Sequence, residues 1–416
     1  MSDKEAKHVV VVGAGIVGVS TAIWLQRAGL SVTLIDKEGP AAGTSYGNGG
    51  VLAACSVVPV TMPGILKNAP KMLFSRDGPL FLKWSYLPKL LPWLFKYLGH
   101  ANIKDVARIA KSLGYLLHDT MEQHQALAAG TPAEKYLAPS DYVFVYRDRA
   151  AFEGDALGWK LRRDNGFEWD EMEEAEFREY DPAFGPQNAF AVRLKNHGFI
   201  RDPGAYVQAL ADHFIAEGGA LRTGEVTEIR QQNGRVSSVV AVGEDIECDS
   251  VVLSTGVWSG PLAKQLGVAV PMESERGYHI ELVNPSIMPR SPVMVASGKF
   301  VATPMNGRLR CAGIVEFGGL DAPPSDAPFE LLERQINKTI PGLSYDRVDR
   351  WMGHRPAPID SIPIIGEAKD VSGAFMGYGH HHIGLTGGPK TGRILASLVR
   401  GERINADLTE FKPNRG

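Results

Sequence analysis

The sequence predicts an α/β fold whose parallel sheet is assembled from three separated parts of the chain. Residues 8–12 form a short apolar run that is typical of a buried parallel strand. A glycine-rich turn, a helix at 19–28 and a second strand at 31–35 follow directly, which is the strand–helix–strand unit of such sheets. Further strand patterns occur at 249–254 and 373–378, far along the chain. We therefore expect one sheet to be built from distant segments.

The intervening residues predict a second domain with a different architecture. Residues from about 59 to 198 are rich in aromatics, prolines and charges without a strand–helix–strand rhythm, and those from about 272 to 350 look like strands with long connections. The expected division is a Rossmann-like nucleotide-binding domain from 1–60, 200–272 and 350–416, and a substrate-binding domain with a mixed or antiparallel sheet and helices from 61–199 and 273–349.

The composition is that of an ordinary globular protein and argues against several other classes. The 416 residues carry a net charge of -3, so nothing indicates a nucleic-acid partner. Cys55, Cys248 and Cys311 lie far apart and form no CxxC pair, which argues against a disulfide framework or a zinc site. The charged N-terminus lacks the apolar stretch of a signal peptide. These features predict a cytoplasmic protein.

The turn after the first strand carries a dinucleotide-binding fingerprint, Gly13-Ala14-Gly15-Ile16-Val17-Gly18. Its first glycine permits the tight turn, the second lets the backbone approach a pyrophosphate, and the third lets the helix pack on the strand. The helix N-terminus then offers free N–H groups and a positive dipole end to phosphates. Asp36, followed by Lys37, ends the second strand, where a carboxylate can accept hydrogen bonds from ribose hydroxyls.

Two further segments favour FAD over NAD. The loop Gly43-Thr44-Ser45-Tyr46-Gly47-Asn48-Gly49-Gly50 follows Asp36 closely, and we expect Thr44, Ser45, Asn48, Gly49 and Gly50 to contact the rest of an extended dinucleotide. Near the end of the chain, the turn Gly379-His380-His381-His382-Ile383-Gly384-Leu385-Thr386 leads toward a helix predicted at 391–400. A helix N-terminus after such a turn can stabilise negative charge on a reduced flavin.

Together these segments resemble the D-amino-acid oxidase superfamily of flavoproteins, and most of all its bacterial D-amino-acid dehydrogenases and D-hydroxyproline dehydrogenases. The more specific likeness lies in loop 43–50, in GHRPAPIDSIPIIG at 353–366 and in the late turn. The resemblance covers nearly the whole chain. It implies that Val226 meets the adenine through its backbone, that Ser254-Thr255-Gly256 approaches the phosphates and ribose, and that turn 379–386 lies against the flavin ring.

The same resemblance nominates active-site side chains. Arg355 matches the family arginine that pairs with the substrate carboxylate, and a planar guanidinium can grip a carboxylate bidentately; a structural salt bridge is the alternative. Arg276 is a candidate second contact to the carboxylate or flavin, and Tyr278 a candidate cover over the substrate, against ordinary packing and surface pairing. His381 is a candidate to face the flavin or substrate. Three adjacent histidines diverge, so no metal is expected.

We expect FAD to be bound non-covalently. Tyr46 stands in the loop where some relatives carry a flavin-linked histidine, and Cys311 has the pattern of a small buried hydrophobe in a strand. The resemblance implies oxidative deamination of a D-amino acid, with D-proline and hydroxy-D-proline among the candidates, by hydride transfer from Cα to flavin N5, giving an imine and then a 2-oxo acid. Electrons would pass to a quinone, another carrier or oxygen.

Other functions stay open. One is oxidation of a secondary N-alkyl amino acid of the sarcosine or glycine type, and another is oxidation of a 2-hydroxy acid. From a different class, the chain could be a flavin-binding subunit without catalysis of its own.

The stretch Pro79–Leu98 is aromatic and basic. Its lysines and two prolines argue against a transmembrane helix. It is either a helical cover over the substrate domain or a surface helix that touches the inner face of a membrane, near a quinone.

Overall fold

The computed structural model describes residues 7–65, 73 and 78–415. In chain order, the strands of these residues are β1 His8–Val12, β2 Ser31–Asp36, β3 Val51–Leu52, β4 Leu80–Leu82, β5 Leu137–Tyr146, β6 Asp170–Glu173, β7 Phe190–Ile200, β8 Ala220–Thr223, β9 Val226–Gln232, β10 Arg235–Ala241, β11 Glu244–Glu247, β12 Ser250–Leu253, β13 Met272–Val283, β14 Val293–Val295, β15 Phe300–Met305, β16 Arg308–Phe317, β17 Arg347–Pro358, β18 Ile364–Glu367 and β19 Ala374–Tyr378.

The α-helices of the same residues are α1 Ile16–Arg27, α2 Leu87–Gly99, α3 Ile103–Leu117, α4 Thr120–Ala128, α5 Arg149–Glu153, α6 Ala156–Asp164, α7 Glu174–Tyr180, α8 Pro203–Ala216, α9 Ser259–Gln265, α10 Asp326–Thr339 and α11 Gly384–Val399. Short 3₁₀ turns occur at Trp84–Tyr86, Glu134–Tyr136, Gly256–Trp258 and Thr409–Phe411.

The first sheet has the strand order β18-β19-β12-β1-β2-β8 and is parallel except for β18. Side chains of β1 alternate between two cores, because successive residues of a strand face opposite sides. Val9 and Val11 pack into the core that contains α1 and α11. Val10 and Val12 pack into the core formed with α9 and the small antiparallel sheet β11-β10-β9. Both faces are therefore covered, as a parallel sheet requires.

Helices α1 and α11 approach each other closely on one face of this sheet. A Cβ on Gly392 would lie 2.7 Å from the backbone nitrogen of Thr21, and a Cβ on Gly388 would lie 3.0 Å from the Ile16 side chain. Helix α11 begins at Gly384, earlier than the predicted 391, and contains Pro389. Because Pro389 has no N–H, the carbonyl of Leu385 loses its helical partner. His124 Nε2 lies 2.9 Å from that carbonyl and supplies the hydrogen bond.

The second sheet follows the order β17-β13-β16-β15-β14-β5-β7-β3, with β4 added beside β16 and β6 beside β7. It is mixed, since β14 pairs with β5 in parallel while β13 is antiparallel to both β16 and β17. Helix α10 packs on one face of it. The predicted α/β fold class is confirmed. The predicted domain bounds place Val51–Leu52 with the first sheet, whereas β3 pairs with β7 of the second.

The stretch Pro79–Leu98 contains β4 and most of α2. Leu90, Trp93 and Tyr97 are buried on the inner side of α2, and the Trp93 indole donates to the carbonyl of Ala357 at 3.1 Å. Leu91 and Phe95 are exposed on the outer side. The helix therefore covers the second sheet. Within the described residues, no helix is both long and apolar enough to span a bilayer.

Candidate active site

A cavity of about 770 Å³ lies where the carboxyl ends of β1, β2, β12 and β19 meet one face of the second sheet. Ligands of open parallel sheets bind at this edge. Most of the residues predicted from the sequence to bind a cofactor line the cavity together, although they come from distant parts of the chain. They are Gly13, Gly15, Ile16, Val17, Asp36, Lys37, Thr44, Ser45, Asn48, Gly49, Val226, Ser254, Thr255, Gly256, Gly379, His380, His382, Ile383, Gly384, Leu385 and Thr386.

The fingerprint glycines have different structural roles. Gly13 has a φ of +103°, and a Cβ there would lie 2.5 Å from the carbonyl oxygen of Ser254. A Cβ on Gly18 would lie 1.8 Å from the carbonyl oxygen of Gly13, so close packing requires this glycine although it does not line the cavity. Gly15 borders the cavity, and a Cβ there would meet only Ser45 Oγ, at 3.2 Å. Gly15 thus leaves open space in front of α1.

The N-terminus of α1 fits a diphosphate. Its N-cap, Gly15, provides no side-chain cap, and no acidic residue lies in the first turn. Ser45 Oγ accepts from the Ile16 N–H at 2.9 Å, which joins loop 43–50 to this helix end. The positive helix end therefore faces the cavity without a negative charge of its own, and the donor set suits the pyrophosphate of FAD.

Asp36 is held in place by backbone donors. Its Oδ2 accepts from Ala14 N–H at 2.8 Å, and its Oδ1 accepts from the N–H groups of Glu38 and Gly39 at 2.9 and 3.0 Å. Ala14 itself does not line the cavity. The neighbouring Lys37 extends over the Trp258 ring, with Nζ 4.4 Å from the ring centroid. The carboxylate is thus oriented at the end of β2, where a ribose would lie.

Loop 43–50 is anchored to the second sheet by side chains that no sequence motif identifies. Arg310 Nη1, His279 Nδ1 and Thr303 Oγ1 each lie within hydrogen-bond distance of carbonyls in the loop. The acceptors are Tyr46 and Asn48 for Arg310 at 2.9 and 2.5 Å, Gly47 for His279 at 2.9 Å, and Gly49 for Thr303 at 2.6 Å. These contacts depend on pairing between strands that are distant in sequence. The sequence gives one indication of them, the charged Arg310 within a strand that is otherwise mostly apolar.

Other residues predicted to bind the cofactor form hydrogen bonds within the protein or lie outside the cavity lining. Ser254 Oγ donates to the carbonyls of Val12 and Gly13, at 2.8 and 3.2 Å. Thr255 Oγ1 lies 3.0 Å from Ser259 Oγ. Gly50 has a φ of +79° and lies outside the cavity lining. Cys311 is fully buried in the apolar core of the second sheet, where burial raises the pKa of its thiol.

The late turn brings its three histidines to the cavity in different ways. His380 Nε2 lies 2.9 Å from Thr391 Oγ1, and burial lowers the pKa of His380 to about 3, so it is neutral. His381 has a φ of +51°, and its N–H donates to the carbonyl of Pro356 at 2.9 Å. His382 is exposed and lines the cavity. Among the described residues, no three His, Cys, Asp or Glu side chains are grouped to hold a metal.

Arg355 lines the cavity on β17. Its Nη2 donates to the carbonyl of Gly313 at 3.0 Å, and its cross-strand partner on β13 is Glu275. A Cβ on Gly277 would lie 2.5 Å from Arg355 Cζ, so the guanidinium lies directly over a glycine. Burial lowers the pKa of Arg355 and Glu275 raises it, but an arginine stays charged. A fixed cation is thus presented to the cavity.

Arg276 does not line the cavity, contrary to its predicted contact with the carboxylate or flavin. It is fully buried, with Nη1 3.0 Å from Glu316 Oε2, and Nη2 donates to the carbonyls of Ala322 and Pro323. The reason is strand alternation, because residue 276 faces away from the side that Glu275 and Gly277 share.

Tyr278 lies on the same side of β13 as Arg276. Its hydroxyl donates to Glu316 Oε2 at 2.6 Å, although the residue still borders the cavity. The predicted role of its side chain as a substrate cover does not fit this position.

The chain matches the family model of the FAD dependent oxidoreductases over residues 8–398. It therefore belongs to that family, and the predicted FAD cofactor and oxidoreductase class are confirmed. The fold is also suited to bind FAD, because one cavity is bordered by the open N-terminus of α1, by Asp36 and by loop 43–50.

Relatives of similar length support this assignment. A D-amino-acid oxidase of Bradyrhizobium diazoefficiens is 38% identical over 419 residues, covering 99% of each chain. A D-amino acid dehydrogenase of Rhizobium rhizogenes is 28% identical, covering 98% of this chain and 99% of the relative. The resemblance to the D-amino-acid oxidase superfamily is thereby confirmed.

Solved structures share the fold. The glycine oxidase from Geobacillus kaustophilus has a TM-score of 0.75 at 19% identity, covering 99% of this chain and 100% of that one. The L-proline dehydrogenase from P. horikoshii has a TM-score of 0.73 at 18% identity, covering 98% of this chain and 97% of that one.

Proposed function

We propose that this chain oxidises a D-amino acid to an imine, which water then hydrolyses to a 2-oxo acid. The observation that carries the proposal is the Arg355 guanidinium, fixed over Gly277 at the wall of the cavity. A guanidinium in this setting suits a carboxylate, which it can bind through two parallel hydrogen bonds. The names of the relatives from Bradyrhizobium diazoefficiens and Rhizobium rhizogenes support an amino-acid substrate.

The residues that line the cavity have different roles in the proposed reaction. Bound FAD, held non-covalently, supplies the acceptor for the hydride from the substrate Cα. Arg355 holds the carboxylate and so fixes the orientation of the Cα–H bond. Turn 379–386 and loop 43–50 both contribute to the lining.

The space for the substrate side chain is bounded by the second sheet. Tyr142, Met294 and Val301 line the cavity there. These are mostly apolar surfaces, which fits an amino acid with an apolar or cyclic side chain, D-proline included. Lys299, exposed on the turn before β15, also borders this region.

The test is anaerobic bleaching of the flavin in the purified holoenzyme. The panel includes D- and L-amino acids, D-proline, hydroxy-D-proline, sarcosine, glycine and 2-hydroxy acids. Bleaching by D-amino acids and not by their L-enantiomers is expected. Bleaching by sarcosine or glycine alone would favour a secondary-amine oxidase, and bleaching by hydroxy acids alone a hydroxy-acid dehydrogenase. A flavin that no compound bleaches would favour a non-catalytic subunit.

The electron acceptor is proposed to be a quinone or another carrier, with oxygen as the alternative. The outer side of α2 supports contact with a membrane surface, since Leu91 and Phe95 are exposed there and Lys89 and Lys96 lie on the same helix. Comparing turnover with a soluble quinone, a dye and oxygen would identify the acceptor class.

A further inference from the structure

Three polar side chains, Glu275, His381 and His382, lie side by side between β13 and the cavity. Glu275 on β13 lies with Oε1 3.2 Å from His381 Nε2. The other ring nitrogen of His381, Nδ1, lies 2.9 Å from Nδ1 of His382. The turn that carries both histidines is tied to β17 beside Arg355, because the His381 N–H donates to the carbonyl of Pro356. The sequence predicts a role for His381, whereas no motif identifies Glu275.

The carboxylate among these three side chains is buried and ionised. Glu275 is 2% exposed and His381 is also buried. Burial opposes ionisation of Glu275, but His381 and then Arg355 outweigh it and lower the pKa of Glu275. Tyr97 of α2 faces the same carboxylate, and burial together with Glu275 raises the pKa of its phenol. Glu275 is therefore an acceptor without a proton of its own.

An ionised Glu275 favours a proton on the His381 ring nitrogen that faces it. A carboxylate at His381 Nε2 favours the tautomer with the proton on that nitrogen, which leaves Nδ1 as an acceptor. His382 must then donate from its Nδ1 across the 2.9 Å contact. A neutral imidazole with its proton on Nδ1 has a free lone pair on Nε2. The negative charge of Glu275 thus favours, through His381, a tautomer of His382 whose Nε2 can accept a hydrogen bond.

The His382 ring is accessible from the cavity and stays neutral. His382 is exposed and lines the cavity. The ring opens onto the cavity, but desolvation within the protein, together with the positive charge of Arg355, lowers the pKa of His382 to about 3. Because Nδ1 is engaged with His381, Nε2 is the ring nitrogen that remains for a ligand.

We propose that His382 Nε2 accepts a hydrogen bond from the amino group of the substrate, and that Glu275 and His381 are positioning residues that fix its tautomer. The inference rests on the proposed function, because it assigns the amine of an amino acid. Arg355 and His382 then recognise different ends of one molecule, the carboxylate and the amine. A hydride can leave Cα only when the nitrogen lone pair is free, so the bound amine must be neutral at that step.

A pair of matched ligands can distinguish recognition of the amine by His382 from a purely structural role of this residue. D-alanine and propionate differ only in the amino group. We expect His382→Leu to raise the dissociation constant of D-alanine at least tenfold, measured by flavin absorbance under anaerobic conditions with rapid mixing, and to leave that of propionate within about twofold. His382→Gln, which keeps a polar atom near the Nε2 position, should recover part of the loss. His118→Leu, at an exposed histidine outside the cavity lining, is the control.

Equal weakening of both ligands in His382→Leu, or of neither, would overturn the inference while leaving the proposed function intact. If D-alanine neither binds nor bleaches the wild-type flavin while another D-amino acid does, the same comparison is made with that compound and its deamino acid. If none does, the proposed function fails, and the inference fails with it.

A second measurement addresses the positioning residues without turnover. ¹⁵N spectra of the histidine-labelled holoenzyme should show His382 protonated on Nδ1, and Glu275→Gln should shift it toward a mixture of tautomers. A wild-type His382 protonated on Nε2 would contradict the proposal directly. Should Glu275→Gln fail to fold, the wild-type spectrum still decides the tautomer.

Discussion

Arg310 pairs with Glu281 inside the second sheet and at the same time holds the cofactor loop. Its Nη2 lies 2.7 Å from Glu281 Oε1, and its Nη1 donates to the carbonyls of Tyr46 and Asn48. Both side chains of the pair are almost fully buried. One guanidinium therefore connects the substrate side of the molecule to the loop that borders the nucleotide cavity.

Replacing Arg310 with leucine is expected to lower both stability and FAD affinity. The change leaves Glu281 buried with a weaker partner, so the free energy of unfolding should fall by about 3–5 kcal/mol. The dissociation constant of FAD should rise because loop 43–50 loses its anchor. Chemical denaturation and fluorescence titration of the apoprotein measure the two effects.

The matched control is Arg308→Leu. Arg308 shares Glu281 but is 38% exposed, so its loss should cost less than about 1 kcal/mol. Equal losses in the two variants would contradict a special role of Arg310.

A methyl group at Gly15 should affect FAD more than folding. The space in front of Gly15 is open apart from Ser45 Oγ, so Gly15→Ala should change the free energy of unfolding of the apoprotein by less than about 1 kcal/mol. The methyl group would occupy the place where the backbone meets the pyrophosphate, and FAD affinity should fall at least tenfold. Gly99→Ala, at the end of α2 outside the cavity lining and with nothing within 4 Å of its added Cβ, should leave FAD affinity unchanged.

Arg355→Lys tests the carboxylate contact while keeping a positive charge beside Glu275. Lysine cannot form two parallel hydrogen bonds, so kcat/KM should fall by about 10- to 100-fold, which corresponds to roughly 1.4–2.7 kcal/mol. Propionate affinity should fall as well. Arg350→Leu, at an arginine on the same strand that is 40% exposed and pairs with Asp326, serves as the control. Unchanged kcat/KM in Arg355→Lys would remove Arg355 from the binding site.

Acid should weaken the packing around His124. Burial lowers the pKa of His124 to about 4, from 6.5, against a smaller opposing effect of the Leu385 carbonyl. The folded pKa is thus below the unfolded one, so the unfolded chain takes up the proton first. The stability from neutral His124 is complete above pH 6.5 and is lost as the pH falls toward 4, by roughly 3 kcal/mol.

The variant His124→Gln should therefore lose less stability than wild type over this interval. Urea denaturation between pH 7 and pH 4.5 provides the comparison. Other buried histidines, including His279 and His380, titrate in both proteins and cancel in the difference. Parallel curves for the two proteins would show that His124 is not the group responsible.

Contact of α2 with a membrane depends on its exposed aromatic residue. Phe95 is 72% exposed, and Phe95→Glu should reduce co-sedimentation with anionic vesicles at least several-fold. Val242 is equally exposed at the end of β10, and Val242→Glu should have no effect. If the wild type stays in the supernatant, α2 acts only as a cover of the second sheet.

Local motifs made part of this site predictable from the sequence. Three parts of the site can be recognised from a short sequence pattern with a backbone requirement. They are the fingerprint at 13–18, Asp36 and the late turn. The expected contact of Arg276 and the expected cover by Tyr278 do not fit their positions, and the sequence does not reveal this because β13 is buried on both faces. Its residues then lack the polar–apolar alternation that would reveal which side faces the cavity.

The residues that were missed share a different property. Arg310, Glu275 and His279 act through partners that are distant in sequence, and the register of β13 with β16 and β17 brings them together. A single sequence contains no direct signal of strand pairing. Some glycines are required by these contacts. Gly277, for example, leaves room for the Arg355 guanidinium, but this requirement is evident only in the folded chain.

The close packing of α1 against α11 also has a consequence during synthesis. The ribosome releases the fingerprint well before α11, the helix that supports it, which ends at Val399. Strands β12 and β19, which extend the same sheet, also emerge late. A nascent chain therefore cannot complete the nucleotide cavity until Gly384–Val399 has been synthesised, so coenzyme capture follows the synthesis of this helix. Until then, the apolar strand His8–Val12 lacks part of its sheet and its cover, which makes it a segment prone to aggregation.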